Sequence, residues 1–499
     1  MTTTLPDALS DTARAFVSRT HGLLIGGESL PAADGATFDT LDPATGQPIA
    51  SVPYAGPVDV DRAVAAARAA FANDADWRTM PAPQRGVALH RLADLIERHA
   101  DELAEIESLD NGKPVKVAKV VDVAQTVAHF RYFAGWPTKV EGRVVPTAHG
   151  DAMFAYVLKQ PVGVCGLIVP WNFPLLIATW ALAPALAAGC TVVLKPAEQT
   201  PLSALFLAGL ALEAGIPAGV FNVVTGDGAT GAALVDHPDV DKVTFTGSTA
   251  VGRKIGSKCG ASLKRVTLEL GGKSPNIILP DADLRAAISG SFQGLYYNTG
   301  QACNAASRLF VHRDQFDEVI SGLAEKAGKT RLGPGLDPST QLGPLVSAEQ
   351  LERVTGYIDA GKREGADLVT GGNGGGDGDG GGYFVEPTLF TTEDDSLSIT
   401  REEIFGPVLV AQPYESIEEV AARANDNEYG LAAGVWTRDL SNAHRLASLL
   451  QAGSVYVNNW RGGDAALPFG GMKASGVGRE HGHEGIEAYL ETKSVSIAL

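Results

Sequence analysis

Of the four cysteines, Cys165, Cys190, Cys259 and Cys303, one is set where a thiol could react. Cys303 lies in YYNTGQACNAASRLF, in which Asn298, Thr299 and Gly300 interrupt the apolar pattern and place the thiol on a turn beside polar groups. A cysteine attacks as its thiolate and needs such surroundings, so two readings stand: a nucleophile, or the small core residue that the other three cysteines resemble. Glu269 ends the β-branched run RVTLEL, directly before Gly271 and Gly272. A carboxylate is costly to bury at a strand end unless paired, and the glycines allow a ligand close approach. It reads as a general base or as a salt-bridged structural residue. Asn172, in VPWNFP, is an amide wedged between aromatics and prolines. A rigidly framed donor suits an oxyanion hole, and it equally suits an asparagine bonding its own turn.

The elements that would carry these residues are legible as short apolar runs. VGVCGLIV, TVVLKP, FNVVTG, KVTFTG, RVTLEL and NIILP alternate with helical patterns between 162 and 280. Repeated β-α-β units predict a parallel, doubly wound sheet that binds ligands at the carboxyl ends of its strands. Helical spacing dominates 59–109, and a second α/β region runs from about 271 to 475. Two glycine-containing junctions compete for a dinucleotide: GDGATG at 226–231, and FTGSTAVGRKIG at 245–256, where Ser248 and Thr249 open a helix whose first amides could hold pyrophosphate. Lys195 and Glu198 follow another strand at the same sheet edge. A carboxylate there accepts from ribose hydroxyls and repels a 2′-phosphate.

Residues 173–194 carry no charge, yet Pro174, Pro184 and Gly189 punctuate them and β-branched runs flank them, the pattern of a buried strand–helix–strand unit rather than a membrane span. The segment 371–382 holds nine glycines in twelve residues and is expected to be a flexible surface loop without chemistry. Strand-like pieces at 143–160 and 492–499 stand apart, to pair either across a subunit interface or on their own chain. The whole chain has 499 residues, 45% hydrophobic and 20% charged, enough for two or three packed lobes. Its formal net charge of −18 disfavours nucleic acid and anionic membranes as partners. No CxxC pair or tight His/Cys cluster suggests a metal site, and no basic-then-apolar segment opens the chain, which points to the cytoplasm.

Taken together, VPWNFP, LKPAEQTP, FTGSTAVG, LELGGKSP, GQAC, EEIFGP and PFGGMKASGVGRE resemble the aldehyde dehydrogenase superfamily in order and approximate spacing, over about 310 residues. The resemblance implies an α/β fold with two Rossmann-like domains and a small β oligomerisation extension. The NAD-binding domain would be 20–141 with 161–270, the catalytic domain 271–475, and the oligomerisation strands 142–160 and 484–499, with a homotetramer as the implied assembly. It implies Cys303 as nucleophile, Glu269 as base for the hydrolytic water, and Asn172 with the Cys303 amide as oxyanion donors. For NAD it implies Trp171, Lys195, Glu198, Gly247, Ser248, Gly252, Gly271, Glu403 and Phe405, with Glu198 favouring NAD over NADP and GDGATG demoted to a nearby loop.

The positions matching the family's substrate tunnel are Phe173, Ile177, Trp180, Tyr297, Trp460 and Phe469, with Arg461 and Asp464 near the mouth. The aromatic set suits an aryl or medium aliphatic aldehyde, phenylacetaldehyde-like. A semialdehyde recognised through Arg461 is the alternative. A CoA-acylating relative needs no carboxylate base, and a crystallin-like structural relative needs none of Cys303, Glu269 and Asn172. A cofactor-free thiol hydrolase needs a histidine partner, and none of the ten histidines lies in a matching motif.

Overall fold

The computed structural model describes residues 5–374, 381–460 and 463–499. Arg461 and the central part of the glycine-rich segment lie outside the described residues. Two sheets dominate the architecture, as the resemblance leads one to expect of an α/β chain. In the first, five parallel strands lie in the order Phe221–Val223, Thr191–Lys195, Val164–Ile168, Lys242–Thr246, Arg265–Glu269. Antiparallel strands close both edges, Leu23–Ile25 with Glu28–Leu30 on one side and Gly476–Val477 on the other.

The strands Val164–Ile168, Thr191–Lys195 and Lys242–Thr246 are buried along their whole length, which is why they read as continuous β-branched runs rather than alternating ones. The uncharged stretch forms the helix Pro174–Ala188 between two of them, and all but one of its residues are buried. A helix apolar on every face belongs inside a protein layer. Among the described residues no helix is long and apolar enough to cross a membrane.

The second sheet runs Asp367–Thr370, Thr388–Thr391, Val408–Tyr414, Arg308–His312, Pro275–Ile278, Ala432–Trp436, Ser454–Val457, with only its first pair antiparallel. The run NIILP, which continues the strand rhythm of the first sheet in the sequence, pairs instead at the centre of this second sheet, between Arg308–His312 and Ala432–Trp436. The cause is the short Leu270–Ser274 connection, too brief for the crossover helix that a parallel neighbour in the same sheet requires.

A third, three-stranded sheet joins Leu490–Ala498, Met153–Pro161 and Arg143–Val144. The C-terminal strand pairs through nine residues with Met153–Pro161 of its own chain. Its other edge faces no strand among the described residues. The C-terminal segment thus crosses from the second sheet, touches the first at Gly476 beside Glu269, and ends on the third.

Candidate active site

Three loops meet where the two large sheets adjoin. Asn172 sits between the end of strand Val164–Ile168 and helix Pro174–Ala188; Glu269 ends its strand; Cys303 follows the turn Tyr297–Gly300. That turn has three consecutive residues at positive φ, Asn298 at 48°, Thr299 at 57° and Gly300 at 71°, a strained backbone for two non-glycine residues. Side chains hold it in place. Asn172 Nδ2 donates to the Gln301 carbonyl at 3.0 Å, and Asn298 Nδ2 donates to the Asn172 carbonyl at 2.9 Å. The loops carrying the amide and the thiol are therefore tied to each other in both directions.

Gly272 lies against the main-chain oxygen of Cys303, and Gly271 against the Glu403 carboxylate, so closely that a Cβ at either position would collide. The glycine pair expected to allow close approach here admits parts of the protein itself. Glu403 Oε1 accepts from Gly272 N at 3.0 Å. Burial pushes the Cys303 thiol up to about 12, and the charges of Glu403 and Glu269 add to the effect, while the amides of Asn304 and Cys303 oppose it. Those electrostatic contacts bring Cys303, Glu269 and Glu403 into one site.

Glu269 is buried, and neither carboxylate oxygen has a hydrogen-bond partner among the described residues. Burial raises its proton affinity well above the ordinary carboxylate range, the neighbouring Glu480 raises it further, and Arg479 opposes. Gly470, at φ 154°, makes room for Glu269: a Cβ there would stand 2.6 Å from Oε1. The salt-bridged alternative has no counterpart in the geometry, since no cation lies within ion-pair distance of Glu269 among the described residues.

The two glycine junctions differ in what their helices already hold. In GDGATG the carboxylate of Asp227 caps helix Gly228–Asp236, accepting from Ala229 N at 2.7 Å and from the Tyr54 hydroxyl at 2.7 Å. An anion there would meet an anion. Helix Thr249–Ser262 has no acidic residue in its first turn and only the Ser248 hydroxyl as a cap, 3.4 Å from Val251 N. Its amides and dipole fit a pyrophosphate. Gly252 packs that helix onto Leu270 where a Cβ would clash, and Gly247 N donates to the Glu269 carbonyl at 3.0 Å. Along the same edge, Lys195 is buried with its ammonium 3.4 Å from Glu198, whose side chain is 42% exposed and open to a further donor. Trp171 and Phe405 meet edge to face at 5.3 Å, with Phe405 at φ 63°. The residue set fits a dinucleotide: a cation and carboxylate, a free helix N-terminus, then an aromatic pair and the Glu403 carboxylate near the thiol.

The residues expected to line the substrate path fall into four places. Phe173 and Tyr297 stack at 5.8 Å. Trp180 packs on Phe469 at 5.1 Å, and both meet His481, which with His129 forms a buried pair whose Nε2 atoms lie 3.2 Å apart. Trp460 lies against Tyr456 and over the backbones of Gly294 and Gly434. Ile177 is 2% exposed within the core of the first sheet's helices. Sequence reasoning missed His129 and His481, and also Lys113, whose ammonium reaches the Asn172 carbonyl at 2.9 Å. No local pattern marks a contact spanning 59 residues.

A model of the aldehyde dehydrogenase family matches residues 30–495. The protein DhaS of Bacillus subtilis (strain 168) is 53% identical over 485 residues, covering 97% of each chain. The mitochondrial aldehyde dehydrogenase of Homo sapiens is 49% identical over 477 residues, 95% of this chain and 91% of the relative. Among solved structures, an NAD+ complex of aldehyde dehydrogenase from Bacillus cereus superposes with a TM-score of 0.96 at 49% identity, covering 98% of this chain and 99% of that one. With the fold, the motifs and these relatives in agreement over nearly its full length, the chain belongs to the aldehyde dehydrogenase family.

Proposed function

We propose that this enzyme, which oxidises aldehydes with NAD, works through a covalent thioester on Cys303. The supporting observation is the knot of Asn172, Gln301 and Asn298 beside the thiol, with Glu269 and Glu403 close enough for their charges to act on it. NAD+ when bound supplies the hydride acceptor and a positive charge that favours the Cys303 thiolate. Lys195 and Glu198 hold its adenosine ribose, Gly247, Ser248 and Gly252 present the helix terminus to its pyrophosphate, and Trp171, Gly271, Glu403 and Phe405 frame the nicotinamide end.

Cys303 Sγ attacks the aldehyde carbonyl, and the C=O electron pair moves to oxygen. Asn172 Nδ2 and the Cys303 amide stabilise that oxyanion, each donor worth about 3 kcal/mol. Once the hydride has left the carbon, the acyl group is a thioester on Cys303. Glu269 then takes a proton from water, which attacks the thioester and releases the carboxylate with Cys303 as leaving group. A partnerless carboxylate suits this step because no existing hydrogen bond has to break.

The stacked Phe173 and Tyr297 and the Trp180–Phe469 pair support an aryl or medium aliphatic aldehyde, phenylacetaldehyde-like. The lobes divide at residue 270, as 20–141 with 161–270 for the cofactor and 271–475 for the thiol. The free edge of Leu490–Ala498, with Ile497 and Leu499 exposed, supports self-association of 142–160 and 484–499 into a homotetramer.

The test is a panel of phenylacetaldehyde, benzaldehyde, hexanal, betaine aldehyde and succinic semialdehyde, assayed by absorbance of the reduced cofactor with NAD+ and NADP+. The reading expects the highest kcat/KM for phenylacetaldehyde with NAD+. A preference for succinic semialdehyde would replace the aryl assignment.

A further inference from the structure

The amide of Asn172 needs a fixed direction, and the segment 110–113 supplies a clamp on its main chain. Helix Ala100–Asn111 ends at Gly112, whose φ of 91° turns the chain sharply. On either side of that glycine, Asn111 Nδ2 donates to the Trp171 carbonyl at 2.7 Å and Lys113 Nζ donates to the Asn172 carbonyl at 2.9 Å. Two residues flanking one turn thus grip two consecutive carbonyls of the loop that carries the oxyanion donor. Asp110, just before them, accepts from Leu202 N at 2.9 Å and from the Thr40 hydroxyl at 2.6 Å, which anchors the clamp to the rest of the lobe.

Lys113 is an unusual member of such a clamp. Its side chain is wholly buried, where an ammonium is costly unless compensated. Asp122 Oδ1 compensates it at 2.5 Å, and the ammonium also lies 4.2 Å from the centre of the Phe173 ring. Asp122 stands on the π-helical segment Ala118–Val123, a widened turn of the kind that re-aims side chains at functional sites. Glu107 completes the cluster, accepting from Leu175 N at 3.1 Å in the first turn of helix Pro174–Ala188. Burial raises the proton affinity of Glu107 and of Asp122, while Lys113 pulls both the other way. An ion pair kept only for packing would need Lys113 and Asp122 alone. Here the cation is spent equally on the residues immediately before the helix, the carbonyl of Asn172 and the ring of Phe173.

We propose that Lys113 is a positioning residue for the oxyanion donor: its buried ammonium pins the main chain of Asn172 so that the side-chain amide already points where charge develops on the substrate. The inference rests on Asn172 acting as the oxyanion donor. Donors held in advance need no reorganisation during reaction, which is the source of their effect.

A double-mutant cycle tests it, with Lys113→Met, Asn172→Ala and both together, read as kcat and KM for phenylacetaldehyde oxidation and for p-nitrophenyl acetate hydrolysis, and as NAD+ affinity by fluorescence titration. Lys113→Met is expected to lower kcat about ten- to a hundredfold in both reactions, part of the 10²–10³ that a lost oxyanion donor costs, with NAD+ affinity unchanged. In the Asn172→Ala background the same substitution is expected to cost less than about threefold, because the group it positions is gone. Lys113→Gln, which keeps a donor for the carbonyl, is expected to recover most of the rate.

Losses that multiply in the double variant would overturn the proposal, since a lysine serving only the fold slows any background equally. A wild-type rate in Lys113→Met would overturn it too. If Lys113→Met does not fold, Asp122→Asn enters the same cycle in its place, with the same two outcomes. Asn172→Ala alone checks the underlying reading: full activity there removes Asn172 as donor, whatever Lys113 does.

Discussion

Asn172 and Glu269 are equally buried, at 2% exposure each, Asn172 in the loop that follows one strand of the first sheet and Glu269 at the end of another, yet their surroundings are opposite. The Asn172 amide nitrogen is held by Gln301 and its main-chain carbonyl by two donors, and of its side-chain atoms Oδ1 has no partner among the described residues. Glu269 has no partner on either oxygen, and the nearby Glu480 has none on its own carboxylate, among the described residues. An unsatisfied buried polar group costs about 1–3 kcal/mol, and a charged one more, so the contrast carries a price in stability. It separates two kinds of work. A donor that must meet developing charge is fixed from several sides. A group that must gain and lose a proton is left free of hydrogen bonds that would lock either state.

The contrast can be broken at the thiol first. Cys303→Ala is expected to abolish aldehyde oxidation and ester hydrolysis together, because both regions act on the bond that Sγ forms; turnover above background in either assay would leave the knot and the free carboxylate without a shared purpose. Glu269→Gln comes next. It should keep a fast first release of reduced cofactor and slow steady-state turnover by roughly 10²–10⁴, the range of a general base, with acyl-enzyme accumulating in rapid-quench mass spectrometry. A steady-state rate equal to wild type would sink the base assignment. Asn172→Ala should slow the burst itself, by about 10²–10³. If Asn172→Ala spared the burst and Glu269→Gln removed it, the roles drawn from their surroundings would be reversed.

The sequence makes the chemistry more legible than its support. Glu269 and Asn172 stand out as polar residues among apolar ones and Cys303 as a thiol beside a polar interruption, and the fully buried strands stand out because parallel sheets need apolar residues on both faces. The Asn298–Gly300 turn is visible as an interruption, although its three positive φ values are not. Lys113 is invisible for a physical reason. In LDNGKP it is a lysine just past the glycine that stops helix Ala100–Asn111, a place that reads as surface, and its inward course is decided by Asp122 and the Asn172 carbonyl, which the fold brings from elsewhere. His129 and His481 are hidden in the same way, 352 positions apart until the C-terminal segment returns to the first lobe. The residues alone left the two glycine junctions in competition and the family resemblance favoured 245–256; the physical reason, that Asp227 turns back onto its own helix, is visible only in the fold.

The smallest expected effect probes the free carboxylates themselves. Lys242, whose ammonium donates to the Thr267 hydroxyl at 2.6 Å, favours the charged form of Glu480 against the effect of burial. The charge of Glu480 in turn raises the proton affinity of Glu269. In Glu480→Gln that repulsion is gone, so Glu269 ionises more readily. The acid limb of the pH profile for acyl-enzyme hydrolysis is expected to move to lower pH.

Stability should follow with a definite sign. A carboxyl whose folded proton affinity is raised contributes stability that is complete below its unfolded pKa of about 4.5 and is lost as pH rises through the folded value. The wild type thus loses stability toward alkaline pH through both groups. Glu480→Gln removes one contribution and reduces the other, so its denaturation midpoint should fall less between pH 5 and pH 9, on the order of the range over which buried carboxyls titrate. An unmoved acid limb, with the alkaline loss reduced only by the share of Glu480 itself, would show that the two carboxylates do not sense each other, and that Glu269 owes its raised proton affinity to burial alone.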